Sequence, residues 1–410
     1  MSLKKVTLKN FRTCHEVELN DLEHLTVLMG RNGVGKTNIL QGIEWLARAA
    51  STPKVSLYDD PSGLDKNFFG QIVFSLSGIN YRYTLLVLIQ PTVTELGLQE
   101  SLERQDENTI WKTILRRNGE KITGVNGEPL IVINEAMPML PAIIALKPSS
   151  QTEEDILSVQ KYLLKIKYYS FDERFGVAEI ANIYFKNNIV SHNDYREWLS
   201  KSSVSLARSD SIIMRILHMY FDRPDDFVEM KEIFGPNGLG ILNAIDIVPL
   251  TSPTSGQTKG LTPSPQDHKN SYFSIDFIPG NGWEGAEFLP RLPYHKLSAG
   301  TRRILRILVS FFYDRNSLFL FEQPEDAIHP GLLRKLISLL RSYDDRGQLI
   351  MASHSSDLFD VLKPEEVRLV TMQGGETKVR GLTEPELASA KRFINEEGSL
   401  SDYLDLLETD

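Results

Sequence analysis

The 410-residue chain has the composition of an ordinary globular protein: 41% of residues are hydrophobic, 24% are charged and the formal net charge is −9. That length supports one large core or two moderate ones. The acidic balance argues against a surface that grips nucleic acid everywhere, so any DNA contact must be local. Cys14 is the only cysteine, which excludes an internal disulfide. No stretch reaches the ~18 apolar residues that a membrane span needs, so we expect a cytoplasmic protein without membrane contact.

The N-terminal segment predicts strands followed by a phosphate-binding loop. Residues 3–29 have the pattern of two strands, and residues 30–37 read GRNGVGKT, which fits G-x-x-x-x-G-K-[ST] at every fixed position. Helical spacing begins at Thr37. A strand–loop–helix of this kind aims backbone N–H groups at one point, where a triphosphate fits. The alternative is a glycine-rich turn with a chance match. The candidate ATP-binding residues are Gly30, Asn32, Gly33, Val34, Gly35, Lys36, Thr37 and Asn38.

A β meander is predicted next. Apolar residues alternate with other residues over 72–76 and again over 81–89. Asn118–Gly119 and Asn126–Gly127 are turn signals. We therefore expect a mixed, partly antiparallel β lobe around the phosphate loop.

The pattern becomes helical from about residue 151, with Thr152–Asp155 as a capping start. Residues 251–270 are polar and punctuated by Pro and Gly, which predicts a mobile surface loop. The predicted organisation is an N-terminal ATPase lobe at 1–150, a helical insertion at 151–245, a C-terminal ATPase lobe at 246–382 and an acidic helical tail at 383–410.

Three further elements lie in a fixed order between residues 295 and 356. Lys296–Thr301 precedes a predicted helix, and the buried-strand run Leu318–Phe321 ends in Glu322–Glu325. His329–Pro330 then opens an amphipathic helix, and a second buried-strand run ends at Ser353–Ser355. Polar groups thus follow two apolar strands, as the phosphate loop follows its own strand.

These residues resemble the ABC-type ATPase superfamily. Leu297–Thr301 is similar to its signature motif in the L-S-x-G-T form, Glu322–Glu325 to its Walker B region, and His354 to its switch histidine. Taken singly, a Leu-Ser-x-Gly sequence is commonly a helix N-cap, and a histidine at a strand end is common. Four motifs in the same order as in the superfamily favour the ATPase.

More narrowly, Asn10–Arg12 and the Pro-Glu…His-Pro sequence resemble the RecF/SMC/overcoming-lysogenization (OLD) branch rather than transporter ATPases. The resemblance covers about 1–130 and 275–375. It implies an α/β fold, namely an ABC-type P-loop ATPase head with a mixed β-sheet, an antiparallel β lobe and a helical insertion.

The resemblance also implies roles for individual residues, with ATP and Mg²⁺ as cofactors. Lys36 would reach the β/γ-phosphates, while Thr37 and Glu322 would organise Mg²⁺. In relatives two ATP molecules are sandwiched between subunits of a homo-oligomer. Ser298 and Gly300 of one subunit would accordingly face the γ-phosphate that Lys36 of the other holds. Arg12 is a further candidate for contact with the nucleotide.

The Walker B region departs from the superfamily pattern of Asp followed by a catalytic Glu. Glu322 occupies the Asp position and Gln323 that of the general base. A neutral amide orients water but cannot accept its proton, so we expect slow or absent hydrolysis unless Glu325 or His354 takes over. Two explanations stay open: a Glu→Gln change that traps the ATP state, or a branch that natively uses Gln and works as an ATP-dependent clamp.

Among ATPases of this branch, the chain is most similar to the AriA ATPase subunits of PARIS antiphage systems, with the Septu and retron-associated ATPases as near competitors. This resemblance implies an ATP-dependent assembly that senses a phage-encoded trigger protein and controls a TOPRIM-type nuclease. Only about 55 residues follow His354, so we expect that nuclease on a separate chain. The alternatives are a RecF/SMC-like DNA repair or chromosome-maintenance ATPase that binds DNA, and, less favoured, a transporter ATPase.

Overall fold

The computed structural model divides the chain into two compact units, each built from separate stretches. The first unit comprises Met1–Ser170, Asn316–Glu325 and Ile337–Asp410, and the second Phe171–Arg315 and Asp326–Leu336. The structure describes residues 1–52, 67–88, 97–106, 109–133, 137–145, 151–171, 189–202, 211–250, 272–280, 288–396 and 398–409. The loop predicted at 251–270 lies outside these residues, and the predicted lobe boundaries stay predictions. None of the described helices is long and apolar enough to cross a membrane.

An antiparallel sheet of eight strands forms one layer of the first unit, in the order β2-β1-β4-β5-β6-β7-β8-β9. Its strands are β1 Ser2–Phe11, β2 Cys14–Leu19, β4 Phe68–Leu76, β5 Ile79–Leu88, β6 Gly97–Gln105, β7 Trp111–Asn118, β8 Lys121–Thr123 and β9 Pro129–Val132. Burial alternates residue by residue along β4 and β5, so one face of the sheet is packed. The alternation read from the sequence is confirmed by these two strands.

Residues 3–29 form three strands rather than the two that we predicted. The chain reverses between β1 and β2, where Phe11 pairs with Cys14. Asn10 and Arg12 have φ values of 58° and 50°, the left-handed conformation that tight turns usually assign to glycine. Because this turn contains no glycine or proline, the sequence pattern did not reveal it. The third strand, β3, is Leu25–Met29.

The second layer of the first unit is a six-stranded sheet in the order β10-β14-β15-β3-β16-β17. Its other strands are β10 Ile166–Ser170, β14 Leu318–Glu322, β15 Gln348–Ser353, β16 Val367–Gln373 and β17 Glu376–Gly381. All neighbours are parallel except the β16–β17 hairpin. Every residue of β3 and β15 is buried, as expected for parallel strands covered on both faces.

Helix α1, Lys36–Ser51, packs between the two sheets and contacts β1, β10, β14 and β15. Its buried side chains belong to one continuous apolar core with both sheets. The remaining helices of this unit are α2 Met139–Ala145, α3 Gln151–Leu164, α9 Ser356–Phe359, α10 Glu384–Glu396 and α11 Leu400–Thr409. At the start of α10, Glu386 binds Arg380 through both carboxylate oxygens at 2.7 and 2.9 Å.

The second unit combines helices with a three-stranded antiparallel sheet in the order β11-β13-β12. Its elements are β11 Ile189–Ser191, α4 His192–Ser202, α5 Ile212–Asp222, α6 Pro224–Phe234, β12 Leu242–Leu250, β13 Tyr272–Pro279 and α7 Ala299–Asp314. Helix α8, Pro330–Ser342, is divided between the units, because the second unit ends at Leu336 and the first resumes at Ile337. The stretch predicted as a helical insertion, 151–245, holds four helices among its described residues, and it also contains the strands β10 and β11 and the start of β12. β10 and β11 are only five and three residues long, too short to interrupt a helical pattern visibly.

Candidate functional site

Three neighbouring parallel strands bring the predicted motifs of the first unit together. β14, β15 and β3 are adjacent in the sheet and run in the same direction. Their carboxyl ends therefore lie at one edge, the usual position of ligand sites in parallel α/β sheets. The phosphate loop follows β3, Gln323 follows β14 and His354 follows β15. Segments separated by about 300 residues in sequence thus meet at one place.

The loop between β3 and α1 has the backbone that anion binding requires. Gly33 and Gly35 have φ values of +84° and +100°, which side-chain-bearing residues rarely adopt. Helix α1 begins at Lys36, and the first-turn N–H groups of a helix have no intrahelical acceptors. The Lys36 ammonium lies 2.6 Å from the Gly30 carbonyl oxygen and 2.9 Å from that of Arg31. Hence a cation and a helix N-terminus face the same space.

A pocket of about 170 Å³ opens at this edge of the sheet. It is lined by Asn32, Gly33, Gly35, Lys36, Thr37, Asn38, Glu322, Gln323 and Ala352. The donors of the loop and the polar groups after β14 therefore share one cavity. This arrangement suits a phosphate chain, because the positive groups lie on one side and a metal-compatible carboxylate on the other.

Glu322 is held at both carboxylate oxygens. Its Oε1 accepts a hydrogen bond from the Thr37 hydroxyl and its Oε2 one from the Tyr168 hydroxyl. A carboxylate beside a hydroxyl at the phosphate loop fits Mg²⁺, which takes one or two protein oxygens and completes its shell with phosphate oxygens and water. The described residues contain no cluster of three or more His, Cys, Asp or Glu side chains that could hold a metal ion. A Mg²⁺ ion here would therefore need phosphate oxygens and water as further ligands. Tyr168 was missed because β10 was not predicted.

Gln323 and His354 lie close to each other at the end of β14 and β15. The Gln323 amide nitrogen is 3.3 Å from His354 Nδ1, and its backbone N–H donates to the Ala352 carbonyl oxygen at 2.9 Å. Gln323 has a φ of 44°, a conformation that costs a non-glycine residue about 1 kcal/mol. Such strain is common at functional positions. Gln323 lines the pocket, whereas His354 lies beside Gln323 and is not among the lining residues.

Glu325, which the sequence offered as a substitute base, is directed elsewhere. Its side chain is 7% exposed and accepts a 2.5 Å hydrogen bond from the Ser353 hydroxyl. It is not among the residues that line the pocket. The structure therefore places Glu325 among the buried residues that support the β14–β15 edge, and not in the pocket.

Three of the candidate nucleotide ligands lie outside the pocket and form hydrogen bonds that stabilise the phosphate loop. Arg12 donates from Nη1 to Asn38 Oδ1 at 3.2 Å and also to the Gln41 side chain. The Val34 carbonyl oxygen accepts from the Thr377 hydroxyl at 2.9 Å, and the Gly30 carbonyl oxygen accepts from Lys36. Arg12, Gly30 and Val34 do not line the pocket, and a direct contact of Arg12 with nucleotide stays a prediction.

The Leu297–Thr301 turn belongs to the second unit and opens helix α7. Ser298 is exposed, and its Oγ accepts a hydrogen bond from the Thr301 backbone N–H at 3.1 Å. Ser298 is therefore a helix N-cap, which was the simpler interpretation of the sequence. Packing alone requires a glycine at position 300, because a Cβ there would lie 2.4 Å from the Ala327 carbonyl oxygen. Contact of this turn with nucleotide stays a prediction.

Two family models match the chain. One, described as "AAA ATPase domain", matches residues 1–223. The other, described as "AAA domain, putative AbiEii toxin, Type IV TA system", matches residues 174–360. The first covers more than half of the chain.

Curated relatives match only in part. The chain is 27% identical over 130 residues to the DNA replication and repair protein RecF of Nostoc sp., which is 32% of this chain and 27% of that protein. It is 45% identical over 51 residues to RecF of Lactococcus lactis, which is 12% of this chain and 14% of that protein. The chain thus spans about a quarter or less of the length of these two relatives.

Among solved structures, a head domain of SMC bound to the C-terminal winged-helix domain of ScpA superposes with a TM-score of 0.50 and 12% sequence identity. The match covers 95% of this chain and 100% of that one. At this identity the likeness concerns the fold alone, and it agrees with the predicted ATPase head. The chain belongs to the AAA ATPase domain family, and its fold is that of an ABC-type ATPase head similar to the head domain of SMC.

Proposed function

We propose that this ATPase binds Mg-ATP in the pocket after β3, β14 and β15 and that two copies of the chain enclose the nucleotide. The observation that carries the proposal is the shared cavity of Lys36, Thr37, Glu322 and Gln323. In this proposal Lys36 and the loop N–H groups bind the phosphates, and Thr37 and Glu322 hold Mg²⁺. Supplied Mg²⁺ would neutralise charge on the phosphate oxygens.

The second copy would complete the site with its Ser298 and Gly300. Support comes from the exposure of Ser298 and from the helix N-terminus at α7, a feature that attracts anions. A phosphate oxygen would take the Ser298 hydroxyl and first-turn N–H groups as donors. Nucleotide would then stabilise the assembly, since it binds both surfaces at once.

Hydrolysis in this assembly is proposed to be slow. Gln323 can orient a water molecule, but its amide takes up no proton. The proton would have to pass to another group, for which the neighbouring His354 is our candidate. His354 is also our candidate for sensing the γ-phosphate. The chain would therefore remain in its ATP-bound state for long periods and act mainly as a clamp.

Two variants test the enclosure. Lys36→Ala should abolish Mg-ATP binding measured by calorimetry, because two backbone carbonyls and the phosphates lose their cation. Ser298→Arg should leave Mg-ATP binding by the single subunit intact but prevent ATP-dependent self-association in sedimentation velocity. Loss of nucleotide binding by isolated Ser298→Arg subunits, or assembly that ignores ATP in the parent protein, contradicts the shared site.

We propose further that this assembly is a sensor and scaffold in prokaryotic antiphage defence, with a TOPRIM-type nuclease as partner and a phage-encoded protein as trigger. The support is the resemblance to AriA and the family description over residues 174–360, which names an AbiEii toxin and a toxin–antitoxin system. Affinity purification from the native host, followed by mass spectrometry, tests this role. Recovery of a TOPRIM nuclease supports it, and recovery of recombination proteins with DNA contradicts it.

A RecF-like role in DNA repair is the second candidate, and the matches to RecF proteins favour it. It predicts ATP-dependent DNA binding that weakens steeply with salt, because each phosphate contact releases counterions. The assay is fluorescence anisotropy of a labelled duplex at several salt concentrations, with and without ATP. Absence of ATP-dependent DNA binding would exclude this role.

A further inference from the structure

A buried threonine of β17 lies directly behind the phosphate loop. Thr377 is fully buried, and its hydroxyl donates to the Val34 carbonyl oxygen at 2.9 Å. The same hydroxyl lies 2.7 Å from the hydroxyl of Thr13, in the turn between β1 and β2. The phosphate-loop motif did not point to either threonine, because Thr13 lies 17 residues before the first loop residue, Gly30, and Thr377 lies far beyond the loop along the chain.

The direction of these hydrogen bonds follows from the chemistry at the two ends. At one end, the Asn38 amide nitrogen donates to the Thr13 hydroxyl at 2.8 Å, because an amide NH₂ group can only donate. The Arg12 guanidinium fixes that amide orientation by donating to Asn38 Oδ1. At the other end a carbonyl oxygen can only accept. Each threonine hydroxyl must therefore accept one bond and donate the next, in the order Asn38 to Thr13 to Thr377 to Val34.

This chain of bonds, which we name the hydroxyl relay, touches the glycine whose conformation shapes the loop. A Cβ built on Gly35 would lie 2.0 Å from Thr377 Oγ1 and 2.8 Å from Thr13 Oγ1. Gly35 has a φ of +100° and directly precedes the first residue of α1. The two hydroxyls thus pack against the backbone just where it must turn toward the phosphates.

We infer that Thr377 is a positioning residue for the phosphate loop, acting as the last donor of the hydroxyl relay. Its bond to the Val34 carbonyl holds the peptide before Gly35 in place and keeps the following N–H groups aimed into the pocket. A preorganised loop binds anions without reorganising. The inference rests on the proposed function of ATP binding, and it assigns the loop geometry to residues outside the loop.

Thr377→Val removes the hydroxyl and keeps the shape. The backbone N–H of residue 377 still donates to the Thr13 carbonyl oxygen, a bond of 2.9 Å in the parent protein, so β17 stays attached. We expect Mg-ATP affinity to fall about tenfold, since the Val34 carbonyl loses its donor and the loop its fixed geometry. Thr377→Ser restores the hydroxyl and should restore most of the affinity.

Thr26 offers a matched control. It is fully buried on β3, and its hydroxyl donates to the Glu23 carbonyl oxygen at 3.4 Å, outside the relay. Thr26→Val should keep Mg-ATP affinity within about twofold of the parent, whatever it does to the melting temperature. If Thr377 only stabilised the fold, Thr377→Val would change Mg-ATP affinity no more than Thr26→Val does for a similar loss in melting temperature.

The relay makes a second prediction through Thr13. Thr13→Val should lower the affinity by a similar factor, and the double variant should lose no more than either single variant, because both break the same relay. If Thr377→Val fails to fold, Thr13→Val decides. Parent affinity in both folded variants overturns the inference while leaving ATP binding intact, whereas failure of the parent protein to bind Mg-ATP overturns the proposed function itself.

Discussion

Replacing Gln323 by Glu tests the chemistry of the pocket most directly. Gln323 and Glu have the same length, so the new carboxylate should occupy the position of the amide, 3.3 Å from His354 Nδ1. The backbone of residue 323 is fixed by its bond to the Ala352 carbonyl oxygen, and the side chain already lines the pocket. The substitution therefore adds a proton acceptor and changes little else.

The size of the effect follows from what the amide lacks. A positioned general base contributes about 10²–10⁴ to the rate of a proton-transfer step. With 1.36 kcal/mol for each factor of ten, this corresponds to a barrier lower by about 3–5 kcal/mol. The added negative charge near the γ-phosphate should weaken ATP binding, but less than the rate rises, because Mg²⁺ screens the phosphates.

Phosphate release under single-turnover conditions, with Mg-ATP at saturating protein, measures the rate. We expect Gln323→Glu to hydrolyse ATP at least a hundredfold faster than the parent protein. Adding Lys36→Ala should abolish the gain, which shows that the activity comes from this pocket. An unchanged rate in Gln323→Glu that still binds Mg-ATP would refute the view that the missing base limits hydrolysis.

Three further outcomes are expected. Tyr168→Phe removes a donor to Glu322, so the Mg²⁺ concentration for half-maximal ATP binding should rise about fivefold in a titration; an unchanged midpoint would contradict the support role. The ion pair with Arg380 lowers the pKa of Glu386 to about 2, below its ordinary value of 4.5. The ion pair stabilises the fold by ~1 kcal/mol or less, and this contribution is present above pH 4.5 and lost as the pH falls toward 2. In urea unfolding, the free energy of unfolding of Glu386→Gln should not show this loss between pH 4.5 and 2. Burial raises the pKa of Cys14 to about 12, so a thiol reagent at pH 8 should label it only after unfolding.

The sequence alone determined the phosphate-loop pattern and the buried strands that precede the polar residues of the pocket. The phosphate loop, the Leu318–Phe321 strand and the apolar run before Ser353 are local signals, because each combines a buried strand with a particular turn chemistry. The fold class follows from the same motifs, and the head-like fold agrees with it. Local patterns fix such elements since their residues are neighbours in the chain.

Only the tertiary structure decided which residues support those motifs. Tyr168 reaches Glu322 because β10 pairs with β14, and Thr377 reaches the phosphate loop because the β16–β17 hairpin lies beside the turn at Thr13. Glu325 lies outside the pocket because its carboxylate accepts a hydrogen bond from Ser353. Such contacts join residues up to 364 positions apart, and a lone tyrosine or threonine has no local pattern that would reveal its distant partner.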